Sequence, residues 1–211
     1  MTGNGYRILF VCTGNVCRSP FAQLLTQYLL AKWFPPADAA RFSVRSAGTR
    51  ATVGAGMDPS TYAELARWGL RDVAGDRHFA RQLDRTTVAS ADLVLTAERR
   101  HRSQVVALHP PALRTTFCLR EFSRLLTSVT MDSAWHDPVR RVRAAVAAAA
   151  LQRGMTPPVG IADDSVPDPV GQPPEAHRHS ATLIGTAVCS MVKVFIGDID
   201  PSADPFAPEQ S

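Results

Sequence analysis

The chain has 211 residues, 45% of them apolar and 20% charged, with a formal charge of +4. That length suits one substantial domain with a real core, and the composition excludes fibrous and disordered classes. The small positive balance favours anionic substrates but is too weak for a nucleic-acid binder, and no basic stripe with interleaved aromatics occurs.

No stretch reads as a membrane span, and Met1-Thr2-Gly3-Asn4-Gly5 lacks the regions of a signal peptide, so the expected setting is cytoplasmic with no membrane partner. The four cysteines, Cys12, Cys17, Cys118 and Cys189, match neither a zinc pattern nor a disulfide framework.

Ile8-Leu9-Phe10-Val11 is a short apolar run that predicts a buried parallel strand. Phe21, Leu24, Leu25, Tyr28 and Leu29 then form one helical stripe, with Ser19 as cap, Pro20 in the first turn and Pro35-Pro36 as the end. Phe42 and Val44 alternate with polar residues and predict a second strand, after which Ser46-Ala47-Gly48-Thr49 opens a loop. Asp58-Pro59 starts a helix and Gly69 stops it. Leu93-Val94-Leu95 is a third strand, followed by a helix from about Glu98 to His109 and a break at Pro110-Pro111. Thr116 to Leu119 suits a fourth strand.

The stretch Arg120 to Gly154 reads as helical, restarting at Asp137-Pro138 and stopping at Gly154. A loop runs from Pro157-Pro158 through Asp168-Pro169. The last helix carries Leu183, Ile184, Ala187, Val188, Met191 and Val192 on one face. Strands alternating with helices predict an α/β fold: a four-stranded parallel sheet with helices on both faces. The expected organisation is one domain over residues 1–211, with a helical insertion at about 119–162 and a frayed tail at about 199–211.

The chemistry concentrates in Cys12-Thr13-Gly14-Asn15-Val16-Cys17-Arg18-Ser19, between the first strand and the first helix. Successive amides from Thr13 to Arg18 can form a nest for a tetrahedral anion, backed by the helix N-terminus. Gly14 frees the backbone to turn, and Asn15 tolerates a left-handed conformation. Arg18 offers a planar fork to two oxyanion oxygens. A cysteine beside a cation and a helix N-terminus is a thiolate nucleophile in waiting.

This segment resembles the active-site loop of the low-molecular-weight protein tyrosine phosphatases, Cys-x5-Arg-Ser near the N-terminus. Ser46-Ala47-Gly48-Thr49, His78-Phe79-Ala80-Arg81-Gln82-Leu83, Asp92-Leu93-Val94-Leu95 and Val166-Pro167-Asp168-Pro169 resemble further blocks of that family, in order. The resemblance covers Arg7 to about Cys118 and resumes at Val166.

The resemblance implies that Cys12 is the nucleophile, Arg18 the transition-state clamp and Ser19 a donor to the Cys12 thiolate. Asp168 would be the general acid, with Asp163 and Asp164 as alternates. Thr13, Gly14, Asn15, Val16, Cys17 and Arg18 would bind phosphate, and Asn15, Ser46 and His78 would support the loop. No metal or cofactor is implied, and the implied partner is a phosphorylated protein or a small aryl phosphate. Cys17 is either a packing residue or a partner for oxidised Cys12. Cys118 and Cys189 read as core, and His177 and His179 as a solvated helix start.

Three departures bear on the substrate. Val170 stands where the family usually places an aromatic after the Asp-Pro pair. Residues Arg50 to Met57 hold no aromatic. The insertion contains Trp135, and is expected to pack beside the pocket mouth and supply a wall. Two other activities fit the same cradle: an arsenate reductase coupled to a small thiol, and a phosphate-binding module without turnover. A thioredoxin-coupled reductase is disfavoured, since no cysteine lies between Cys17 and Cys118.

Overall fold

The first strand, β1 (Tyr6–Cys12), lies inside a sheet of order β2-β1-β3-β4, with β2 at Phe42–Gly48, β3 at Leu93–Thr96 and β4 at Thr116–Cys118. Every neighbouring pair is parallel. The computed structural model describes residues 5–70, 78–129, 137–157 and 159–197. The predicted α/β sheet is therefore observed, with all four strands where the apolar runs placed them.

The period of two along β1 divides the interior. Tyr6, Ile8, Phe10 and Cys12 face the larger core, while Leu9 and Val11 face a smaller one with Val94 and Val105. The larger core is roofed by α1 (Arg18–Trp33) and α9 (Pro174–Ile196), with α3 (Pro59–Arg67) and α6 (Leu119–Leu126) packed on α9. A single turn, α2 (Pro36–Ala39), links α1 to β2. The opposite face is covered by α5 (Arg99–Leu108), with α4 (Arg85–Ala89) against it. The α1 stripe is buried as expected, with Phe21, Leu24, Leu25 and Leu29 inside and Tyr28 at the margin.

Against expectation, α9 is long and apolar enough to cross a membrane. Its apolar face is spent on the core instead. Ile184, Val188, Met191, Val192 and Phe195 are all buried, and Gly185 lets the Trp68 ring lie directly on the helix backbone. A Cβ at that glycine would sit 1.9 Å from the ring.

Several boundaries differ from expectation. Ser46, Ala47 and Gly48 belong to β2 rather than a loop, because β1 continues to Cys12 and pairs Cys12 with Gly48. Ser19 does not cap α1. Cys17 occupies the cap position, and the Ser19 hydroxyl turns inward to Cys12. Gly154 does not stop its helix; α7 (Pro138–Met155) runs one residue past it. Asp58 and Asp137 do cap α3 and α7 through their carboxylates. The tail at 199–211 lies outside the described residues.

The long helix of the insertion is not beside the pocket mouth, where the sequence suggests. Arg143 of α7 reaches Asp92 and the Gly5 carbonyl, and Asp137 pairs with Arg41. Those partners lie at the amino ends of the strands, so α7 covers the end of the sheet away from Cys12. Its buried residues Val139, Val142, Val146 and Ala149 decide this, since they complete the core against α6 and α9. Among the described residues of the insertion, the start of α6, where Leu119 shares a cavity with Arg18 and Ser19, and the short α8 (Ile161–Asp164), whose Asp164 is held by Arg99 and Arg124, lie on the Cys12 side. Trp135 lies outside the described residues.

Candidate active site

The carboxyl ends of parallel strands are where such sheets place reactive loops. Cys12 is the last residue of β1, and residues 13–17 curl from it into α1. Each carbonyl along this turn is engaged from outside. Cys12 O accepts from Thr49 N, Thr13 O from Arg50 N, Gly14 O from Thr52 N and Val16 O from Asp58 N, at 2.9–3.1 Å. Asn15 O receives His78 Nε2 at 2.7 Å. With the carbonyls turned outward, the amides face the interior of the curl, and those of Thr13 to Cys17 meet no acceptor among the described residues. Successive inward N–H groups without an acceptor form a nest of the kind that binds anions.

Gly48 sits under the turn where only a hydrogen fits. A Cβ there would lie 2.5 Å from Thr13 O and 3.0 Å from Asn15 N. Asn15 takes the left-handed conformation expected of it, with φ 57°. Its amide is saturated. Nδ2 donates to Ser19 Oγ and Ser46 Oγ, both at 2.9 Å, and Oδ1 accepts from Arg81 N at 2.8 Å. These bonds orient the hydroxyls. Ser46 donates to Gln23 Oε1 at 2.7 Å. Ser19, accepting from Asn15, also meets Cys12 Sγ at 3.0 Å, a bond it donates when the sulfur is a thiolate.

Arg18 is 2% exposed. Its Nη1 donates to Glu98 Oε1 at 2.5 Å and to Val166 O at 3.1 Å. Its Nη2 donates to Asp168 Oδ2 at 2.5 Å and to Thr13 Oγ1 at 3.3 Å. Its Nε is buried and has no partner among the described residues. The other Asp168 oxygen accepts from Val170 N at 3.3 Å. Asp168 thus reaches the loop, while Asp164 is committed to its arginines and Asp163 stays exposed.

Three residues of this site stand outside the sequence motifs. Glu98 reads only as a helix start, yet it anchors Arg18. Burial opposes ionisation of Glu98, but hydrogen bonds from Arg100 and Arg18 hold its carboxyl below the usual range. His101, on the first turn of α5, lies 2.9 Å from Thr13 Oγ1. Gln23 orients Ser46. The retrievable clue is position: Glu98 and His101 follow β3, the strand beside β1, at its carboxyl end.

Burial, then the Arg18 charge, lowers the His101 pKa to about 4, and burial lowers that of His78 as well. Both imidazoles are therefore neutral in the fold near pH 7. Unfolded histidine titrates near 6.5. Below that pH the unfolded chain binds protons that the folded chain refuses, so stability falls as pH drops from about 6.5 towards 4. We expect denaturant midpoints to decline across that window, and His101→Gln to flatten the decline relative to wild type at each pH. An unchanged slope in His101→Gln would remove His101 from this account.

Cys17 is buried, and burial pushes its thiol up to about 12. All four cysteines are free thiols. Cys118 and Cys189 are core residues as expected. His179 is exposed, but His177 is 3% exposed, contrary to the solvated position expected of it. Val170 is 51% exposed, and the only large apolar residue at the strap 50–57 that stands free is Val53.

Comparison with known proteins places this loop in context. The family model for low molecular weight phosphotyrosine protein phosphatase matches residues 7–152. The chain belongs to that family. It is 38% identical to the low molecular weight protein-tyrosine-phosphatase Wzb of Escherichia coli K12 over 103 residues, 49% of this chain and 62% of that relative. It thus spans under two thirds of the Wzb length. It is 35% identical over 150 residues to a probable low molecular weight protein-tyrosine-phosphatase, EpsP, of Ralstonia solanacearum, covering 70% of this chain and 90% of EpsP. The solved structure of the YwlE arginine phosphatase of Geobacillus stearothermophilus superposes with a TM-score of 0.61 at 26% identity, covering 89% and 91% of the two chains. Asp168 lies beyond the matched residues, so its place at the site rests on its contact with Arg18.

Proposed function

We propose that this chain is a cysteine-dependent phosphatase that hydrolyses phosphotyrosine or another aryl phosphomonoester through a phosphocysteine. The observation that carries the reading is the donor set converging on Cys12: inward amides and the unpaired Arg18 Nε. A ring of oxyanion-facing N–H groups and a guanidinium fork match a phosphoryl dianion in shape and charge.

The Cys12 thiolate attacks phosphorus while the Asp168 carboxyl gives its proton to the leaving oxygen. The S–P bond forms as the O–P bond breaks. Asp168, now a carboxylate, takes a proton from water, and the resulting hydroxide attacks phosphorus. The S–P bond breaks, phosphate leaves, and the Ser19 hydroxyl stabilises the returning thiolate. Glu98 and Thr13 keep Arg18 aimed throughout. The arriving dianion replaces Asp168 on Nη2 and binds together with one proton from solvent, which the released carboxylate carries as it turns to face the leaving group. The reading includes a cytoplasmic setting, where a reducing pool keeps Cys12 a thiol.

Within this chemistry a second substrate class is favoured by one observation. The strap and the Asp-Pro loop present Val53 and Val170 rather than aromatic walls, so stacking on a phenyl ring is weaker. A relative of this fold is an arginine phosphatase. The test is phosphate release from matched phosphotyrosyl, phosphoseryl and phosphoarginyl peptides. A higher kcat/KM on the phosphotyrosyl peptide supports the proposal. A higher kcat/KM on the phosphoarginyl peptide moves the substrate class to phosphoramidates, and no release from any peptide overturns the enzymatic reading.

A further inference from the structure

Beside the loop, three metal-ligating side chains converge from three elements. They are Cys17 at the start of α1, Asp58 capping α3, and His177 in the first turns of α9. Their donor atoms all lie within 4.8 Å of one another, the only such group of three among the described residues. Cys17 and His177 are buried, and Asp58 is partly so. Nothing in the phosphatase chemistry uses His177 or Asp58.

At present a hydroxyl knits the group together. Thr61 Oγ1 lies 2.8 Å from His177 Nδ1 and beside the Cys17 thiol. His177 Nδ1 is 3.4 Å from Asp58 Oδ1. That same Oδ1 accepts from Ser60 N and Thr61 N, so Asp58 Oδ2 is the oxygen free to turn inward. Three donors therefore surround one point, with a small rotatable hydroxyl beside it.

We propose that Cys17, Asp58 and His177 form a zinc-binding site beside the loop. One sulfur, one imidazole nitrogen and one carboxylate oxygen are the donors Zn²⁺ prefers, whereas Mg²⁺ and Ca²⁺ demand oxygen. A tetrahedral ion with bonds of about 2.0–2.3 Å sets its donors roughly 3.5 Å apart, a contraction that side-chain torsions can supply. The fourth position falls to the Thr61 hydroxyl or to water. Binding displaces the Cys17 thiol proton to solvent, one per ion, and withdraws that sulfur from reaction with Cys12. It also clamps α1, α3 and α9 together at the root of the loop. The site is independent of the phosphatase reading, since no catalytic step passes through it.

The test is titration of the full chain with Co²⁺ as a spectroscopic stand-in for Zn²⁺, read by its thiolate charge-transfer and tetrahedral ligand-field bands. One equivalent should develop both bands in wild type and in Cys12→Ser, and Zn²⁺ should erase them. Cys17→Ser should abolish the charge-transfer band. His177→Gln and Asp58→Asn should each weaken affinity by about tenfold or more. Asp58→Asn retains a capping side chain and His177→Gln a hydrogen-bonding one, and melting curves confirm that both remain folded. Absence of the bands in wild type, their loss in Cys12→Ser, or unchanged affinity in folded His177→Gln and Asp58→Asn would overturn the proposal.

Discussion

Replacing Cys12 by serine is expected to lower aryl-phosphate turnover by roughly 10⁴- to 10⁶-fold while leaving phosphate binding nearly intact. The two effects separate because different atoms produce them. Turnover needs an ionised nucleophile. A thiol is intrinsically far more acidic and more nucleophilic than an alcohol, whereas a serine hydroxyl here has no base to take its proton. Ser19 supplies a hydrogen bond rather than accepting a proton, because an alcohol is far too weak a base to deprotonate another alcohol. Binding needs the amides of residues 13–17 and the Arg18 fork, and none of these is altered. Isothermal titration with inorganic phosphate and steady-state hydrolysis of p-nitrophenyl phosphate measure the two quantities. Turnover surviving in Cys12→Ser would mean that another group attacks phosphorus. Lost binding with lost turnover would mean that the substitution collapsed the loop, which the bonds of Asn15 to Ser46, Ser19 and Arg81 oppose.

That loop is legible in the amino-acid sequence because its chemistry is contiguous. Cysteine, glycine, asparagine, arginine and serine fall within eight residues, and the strand before them and helix after them have unambiguous periods. What the chain hides is everything that depends on which strand lies next to which. Glu98 is 80 residues from Arg18 and reaches it only because β3 pairs with β1. Ser46 reads as loop because it opens a small, polar, glycine-bearing run, yet pairing with a long neighbour makes it strand. His177 does leave a trace. It continues the buried α9 series of Ala181, Ile184, Val188 and Met191 at helical spacing, so a polar residue there has to be inside. The α7 helix gives no such trace of its place. Alanines dominate it, and the surface it covers follows from the path of the chain rather than from its pattern.

Asp168→Asn should produce a loss that grows with the basicity of the leaving group. In kcat/KM, which reports the step that forms the phosphocysteine, little change is expected with p-nitrophenolate, which departs without a proton, and about 10²- to 10⁴-fold with an alkyl or unactivated aryl phosphate. The asparagine is nearly isosteric, and its oxygen can still accept from Arg18 Nη2, so the resting geometry survives. What disappears is the transferable proton, together with the carboxylate charge that competes with substrate for Arg18. Removing that competitor should tighten phosphate binding as catalysis falls. This opposed pair of changes is hard to obtain from structural damage, which weakens both. Asp164→Asn is the control: that carboxylate is buried between Arg99 and Arg124, so its loss should lower the melting temperature and leave the leaving-group dependence unaltered. A flat leaving-group profile in Asp168→Asn, or a steep one in Asp164→Asn, would transfer the acid to a different carboxylate. The ring of amides around Cys12 would then still hold the phosphoryl group, but protonation would have to reach it from a part of the chain that does not touch Arg18.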